Sequence, residues 1–231
     1  MNSGFALIFG KEEGLGGEDI ICITSHPIYK TGKESVIGAG KAFSDGDAEN
    51  MLKILADKRR EKRELLPSTL LAKTVDSMIW YRPATMKTVV RFIGGETGAL
   101  EFVVPVPNLI FKCASGSMEV CSFKGKGRPS NDTLLYHAPF GNINKTMQMC
   151  VGANQVPKYP SVSEISDLED MFFESEFSEL HFNGACKGID SYEALVNFYK
   201  TLEGKERFPT RKMLAVKRSD GESALTLGGW V

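Results

Sequence analysis

One irregular stretch of the chain holds the residue types that nucleophilic chemistry needs. In Tyr136-His-Ala-Pro-Phe-Gly-Asn142-Ile-Asn-Lys-Thr-Met-Gln-Met-Cys150-Val-Gly152 an asparagine precedes a cysteine by eight residues. A thiol that carries acyl groups needs access, and it needs a donor for the oxyanion that forms as the group arrives and leaves. The side-chain amide of Asn142 can supply that donor while the loop exposes Cys150. No histidine lies close to Cys150 in the sequence, so the pattern lacks the general base of a cysteine protease. Spacing alone leaves a second reading open, in which Cys150 is a buried packing residue.

Other motif types are incomplete. Gly38-Ala-Gly40-Lys41 looks like part of a phosphate loop, but Ser35 stands where the first glycine belongs and Ala42 where Ser or Thr should follow. His181 with Cys186 is half a metal site, and there is neither a C-x-x-C pair nor G-x-S-x-G. Gly228-Gly229 resembles a diglycine tail, yet Trp230 and Val231 follow it, and a turn or frayed tail is expected. The basic residues Lys58, Arg59, Arg60, Lys62 and Arg63 alternate with acids. That pattern describes a solvated helix face, with docking of an acidic protein or nucleic acid as its functional reading. No metal and no cofactor is expected.

The 231 residues carry 28 basic and 29 acidic side chains, so net charge does not call for a polyanionic partner. The longest apolar run, Phe102 to Phe111, is about half a membrane span and contains Pro105 and Pro107. The first residues lack the basic and apolar regions of a secretory signal. Five widely spaced cysteines, Cys22, Cys113, Cys121, Cys150 and Cys186, suit reduced thiols in a cytoplasm. Of these, Cys22, Cys113 and Cys121 lie in strand-like runs as packing residues, and Cys186 falls in a turn.

These residues must be positioned by the surrounding elements. Phe5–Phe9, Asp19–Ile23 and Ser35–Phe43 read as strands of a β-rich lobe. Ala48, Met51, Leu52 and Leu55 then follow helical spacing, with Ser44 or Asp45 as N-cap and Pro67 as the stop. Met78–Tyr81, Thr88–Ile93, Leu109–Cys113 and Met118–Phe123 read as an antiparallel meander. Residues 128–160 are irregular apart from a strand at Thr133–His137. Two helices follow, Ser161–Ser175 and Ser191–Leu202, the second with Asp190 and Glu193 as a capping box.

At the cysteine loop the sequence resembles ubiquitin-conjugating enzymes, whose His-Pro-Asn motif places an asparagine eight residues before the active cysteine, as Asn142 and Cys150 are placed. It is most similar to a bacterial branch, the prokaryotic ubiquitin-conjugating-like family D, which includes a protein of the plasmid-associated PRTRC system. The likeness rests on Leu65-Leu-Pro67-x-x-Leu70-Leu-Ala72, Met78-Ile-Trp-Tyr81, Arg128-Pro129, Ala138-Pro139-Phe-x-Asn142, Cys150-x-Gly152, Phe172-Phe-x-Ser175-x-Phe177 and Phe208-Pro209, spread over roughly residues 1 to 215. It implies an α+β fold with a conjugating-enzyme-like core at 68–206, after a β-rich lobe and charged helix at 1–67 and before an extension at 207–231.

The resemblance also implies a thioester carrier. A ThiF-like enzyme would adenylate a ubiquitin-like modifier, Cys150 would accept it, and an amine would take it on. Asn142 would stabilise the oxyanion, Asn144 would brace the loop, and a JAB-domain peptidase would belong to the same system. Phe140 and Gly141 replace the family's His and Pro, so the loop is expected to be braced by burial of Phe140. Gly152 stands where many conjugating enzymes keep an acid, and His181, about thirty residues beyond Cys150, falls near another acidic gate position. His181 is therefore the candidate base or polar gate. The rival expectation is a non-catalytic adaptor with the same fold.

Overall fold

The computed structural model describes residues 2–13, 19–31, 34–58, 65–94, 98–218 and 220–231. The chain divides into two compact units, Met1–Glu64 and Leu65–Val231. In the first unit, β1 (Asn2–Glu13) pairs antiparallel with β2 (Asp19–Thr31), and β2 also pairs with β3 (Glu34–Ile37) and β4 (Lys41–Ala42). The glycines of the incomplete phosphate loop have a packing role here. A Cβ on Gly40 would collide with the ring of His26. The His26 Nδ1–H donates to the Gly38 carbonyl at 3.0 Å, which leaves Nε2 to accept from the Thr24 hydroxyl at 2.9 Å.

Helix α1 (Asp45–Lys58) starts at Ser44, whose Oγ accepts from the Asp47 N–H at 3.3 Å while the Asp47 carboxylate accepts from the Ser44 N–H at 3.0 Å. This reciprocal cap satisfies backbone donors that the first turn leaves unpaired. The basic cluster from Arg59 to Arg63, and the side chains of Leu55 and Lys58, lie outside the described residues.

The second unit is α+β, with sheets that are mostly antiparallel. One five-stranded sheet runs β5 (Leu70–Lys73), β6 (Ser77–Arg82), β9 (Asn108–Ala114), β10 (Ser117–Phe123), β11 (Leu135–His137). Between β6 and β9 the chain leaves this sheet as β7 (Thr85–Gly94) and β8 (Gly98–Val106), which pair with each other. The partners Arg82↔Leu109 and Thr85↔Val106 keep one register, so the four strands form a single ribbon bent where Pro83 and Pro107 interrupt the ladder. At the bend the Asn108 side chain accepts from the Ala84 N–H at 2.8 Å. The two-residue strand β12 (Glu176–Phe177) adds to β7 in parallel.

Alternation along the strands gives the five-stranded sheet two apolar faces. One carries Trp80, Phe111, Met118 and Val120 and packs in one cluster with α2 (Ile165–Glu174) and α3 (Tyr192–Leu202) through Leu168, Phe172, Leu195 and Tyr199. The other carries Ile79, Ile110, Cys121 and Leu135 and packs with Val216 and Leu227. Residues 207–231 fall in the same compact unit as these strands, and Val216 and Leu227 help to bury the second face. One expectation changes: Ser191, not Asp190, caps α3, its Oγ accepting from the Ala194 N–H at 3.1 Å. The diglycine lies in a turn, as expected, a 3-10 turn at Leu227–Gly229 whose Leu227 is buried. Among the described residues no helix is long and apolar enough to cross a membrane.

Candidate functional site

The loop after β11 is built in two parts. From Ala138 to Ile143 it is buried, and Phe140 is its anchor at 1% exposure. The Phe140 ring lies 4.9 Å from Phe172, 5.5 Å from Phe177 and 6.0 Å from Tyr199, centroid to centroid. These tilted and edge-on contacts add to the burial of the ring. The buried hydroxyl of Tyr199 donates to the Pro139 carbonyl at 2.8 Å and ties the loop to α3. Gly141 has a steric reason, since a Cβ there would meet the carbonyl oxygen of Glu179. That closeness lets the His181 N–H donate to the Gly141 carbonyl at 3.0 Å.

Asn142 is the buried polar residue at the end of this part. Its Oδ1 accepts from the Ser178 N–H at 3.4 Å, and its Nδ2 donates to the Glu176 carbonyl at 3.5 Å. Both bonds are long, so the amide is oriented without being saturated. Asn144 closes the turn that follows, its Oδ1 accepting from the Thr146 N–H at 2.9 Å, the Thr146 hydroxyl at 2.8 Å and the Gln148 N–H at 3.0 Å. This is an Asx-type turn, in which a side-chain oxygen replaces backbone partners.

The returning arm lies along the first half of β10. The Val120 N–H donates to the Met147 carbonyl and the Met149 N–H to the Met118 carbonyl, both at 2.8 Å. The Cys150 N–H then donates to the Asn142 carbonyl at 2.8 Å. Residues eight apart in sequence are locked side by side, and the Cys150 side chain is exposed. The reading of Cys150 as a packing residue is therefore overturned. By contrast Cys113, Cys121 and Cys186 are buried. Burial pushes the thiols of Cys113 and Cys186 up to about 11, and that of Cys121 higher still.

Cys150, Asn142 and His181 line one cleft of about 340 Å³, with Gly152, Asn154, Glu176, Ser178 and Glu179. His181 lies beside Glu179, Nε2 to Oε2 3.7 Å. Gly152 holds φ at +58° with no atom near its missing Cβ, so the turn's conformation favours glycine. Residues 159–186 contain seven Asp and Glu and no Lys or Arg, so an acidic segment flanks the thiol. Motif searching missed Glu176 and Glu179. The charge bias was visible in the sequence, but its link to Cys150 needed the fold. Among the described residues, no group of His, Cys, Asp and Glu is arranged to hold a metal ion.

An antiparallel sheet backed by helices, with an asparagine–cysteine loop at its edge, is compatible with an E2-like fold. The family model described as prokaryotic E2 family D matches residues 47–216, and the chain belongs to that bacterial family. No curated protein and no solved structure matches it.

Proposed function

We propose that this protein accepts a ubiquitin-like modifier as a thioester on Cys150 and passes it to an amine. The observation that supports this reading most is the exposed Cys150 thiol held in one cleft with the Asn142 amide by the bond between their backbones. In the first step the Cys150 thiolate attacks the modifier's thioester carbonyl on a ThiF-like activating enzyme, and that enzyme's thiolate leaves. In the second an amine attacks the new thioester, the Cys150 thiolate leaves and an amide forms. Each step passes through an oxyanion, to which the Nδ2–H of Asn142 donates. His181 takes the proton that the attacking amine releases. Glu176 and Glu179 favour a cationic acceptor such as a lysine ammonium by charge.

The partners in this reading are the modifier, the ThiF-like enzyme and, for reversal, a JAB-domain peptidase of a plasmid-borne PRTRC set. A reducing cytoplasm suits an exposed thiol of this kind. The test incubates the protein with modifier, activating enzyme and ATP. A thiol-reducible adduct is expected, absent in Cys150→Ala and converted to a thiol-resistant ester in Cys150→Ser. Binding of both partners without any adduct overturns the carrier reading in favour of an adaptor.

A further inference from the structure

The backbone just before Cys150 is irregular in a way that points across the sheet. Met147 holds φ at +68°, a left-handed value that residues with a Cβ rarely adopt. In a regular strand residues 147 and 149 would face the same side. Here they do not. Met149 is buried in the cluster on the helix side, whereas Met147, at 5% exposure, is buried in the opposite cluster with Val216 and Leu227. The left-handed turn carries Met147 to the second face, so the arm is gripped from both sides of the sheet.

The grip on the second face belongs to the C-terminal segment. The Trp230 Nε1–H donates to Glu119 Oε2 at 2.9 Å, and Glu119 is bridged to Gln148 of the cysteine arm. Lys112 Nζ donates to the Trp230 carbonyl at 3.0 Å and lies 5.2 Å from the centre of its ring. Most of this segment lies beyond the family match, which ends at residue 216. A strained backbone persists only where its surroundings over-determine it. At Met147 those surroundings are the apolar pocket completed by Val216 and Leu227.

We infer that the C-terminal segment, residues 213–231, positions Cys150, with Met147 and Trp230 as the positioning residues. When either contact is lost, the arm relaxes and the Cys150 N–H leaves the Asn142 carbonyl. The inference deepens the carrier reading, although its geometry does not depend on that chemistry.

Hydrogen exchange read by mass spectrometry on the full chain tests it. In Met147→Ala, amides of residues 147–151 exchange about tenfold faster while those of β6 and β9 keep wild-type rates. Met147→Leu, close in volume, restores the wild-type pattern. Trp230→Phe keeps a ring but loses the donor to Glu119, and it speeds exchange at 147–151 by a few-fold. Unchanged exchange at 147–151 in both Met147→Ala and Trp230→Phe overturns the inference, as does acceleration spread evenly over β6 and β9. Variants that show this exchange pattern, in a protein whose wild type forms no thioester, overturn the carrier reading and leave the positioning inference standing.

Discussion

The two arms of the cysteine loop are neighbours that differ in almost every physical respect. From Pro139 to Ile143 every residue is buried, whereas from Cys150 to Gln155 the chain is open to solvent except for the half-buried Val151. The first arm is fixed by aromatic rings from α2, α3 and β12 and by the Tyr199 hydroxyl. The second is held by backbone bonds to β10 and to Asn142, with the buried Met147 and Met149 side chains just before Cys150 as its anchors. A donor that must meet a transient oxyanion has to be held still, while a thiol that must meet two large partners has to stand clear. One loop meets both needs by burying one half and exposing the other.

The sharpest test of this division is Cys150→Ala. It abolishes the adduct while leaving the thermal midpoint unchanged, because the exposed Cys150 side chain contributes no core packing. In the wild type an uncharged alkylating reagent labels Cys150 under native conditions, and Cys113, Cys121 and Cys186 only after unfolding, as mass spectrometry of the peptides would show. Native labelling of the buried thiols would break the comparison.

The buried arm should respond in the opposite way. Phe140→Ala empties the centre of an aromatic cluster and is expected to cost about 3–5 kcal/mol, measured by urea denaturation. Asn142→Ala changes chemistry more than stability, slowing transfer by about 10²–10³-fold, the usual loss for an oxyanion donor. A stability loss as large as that of Phe140→Ala would place Asn142 with the packing residues instead.

The smallest effect is set by pH. Burial, with Lys145 nearby as the lesser cause, holds His137 at about 4, below its ordinary 6.5. Its buried Nδ1 has no hydrogen-bond partner among the described residues. The folded form resists taking a proton that the unfolded chain accepts, so this contribution to stability is complete above pH 6.5 and is lost as pH falls towards 4. His137→Gln should therefore lose less stability between pH 7 and pH 5 than the wild type, read from urea midpoints. Equal losses would remove His137 from the account.

Much of the frame was legible because it rests on local pattern. The strands around Met78–Tyr81, Leu109–Cys113 and Met118–Phe123, and the apolar face of α3, follow periods that a single segment displays. Strand β8 was hidden by Pro105, which cannot donate to a ladder. It is tolerated because β8 is the edge of its sheet and pairs only with β7. The irregular run 128–160 also concealed order. Arg128 donates to the Ser68 and Leu70 carbonyls beside β5, and Ile143 bridges Met149.

The sequence by itself determined the eight-residue interval between Asn142 and Cys150, the replacement of His-Pro by Phe140-Gly141, and the acidic bias that follows the cysteine. Only the tertiary structure decided which thiol is exposed, why Gly141 must lack a side chain, and how His181 and Glu179 reach the cleft. Spacing and charge are properties of a short segment. Exposure and close approach depend on partners tens of residues away, which the folded chain alone brings together.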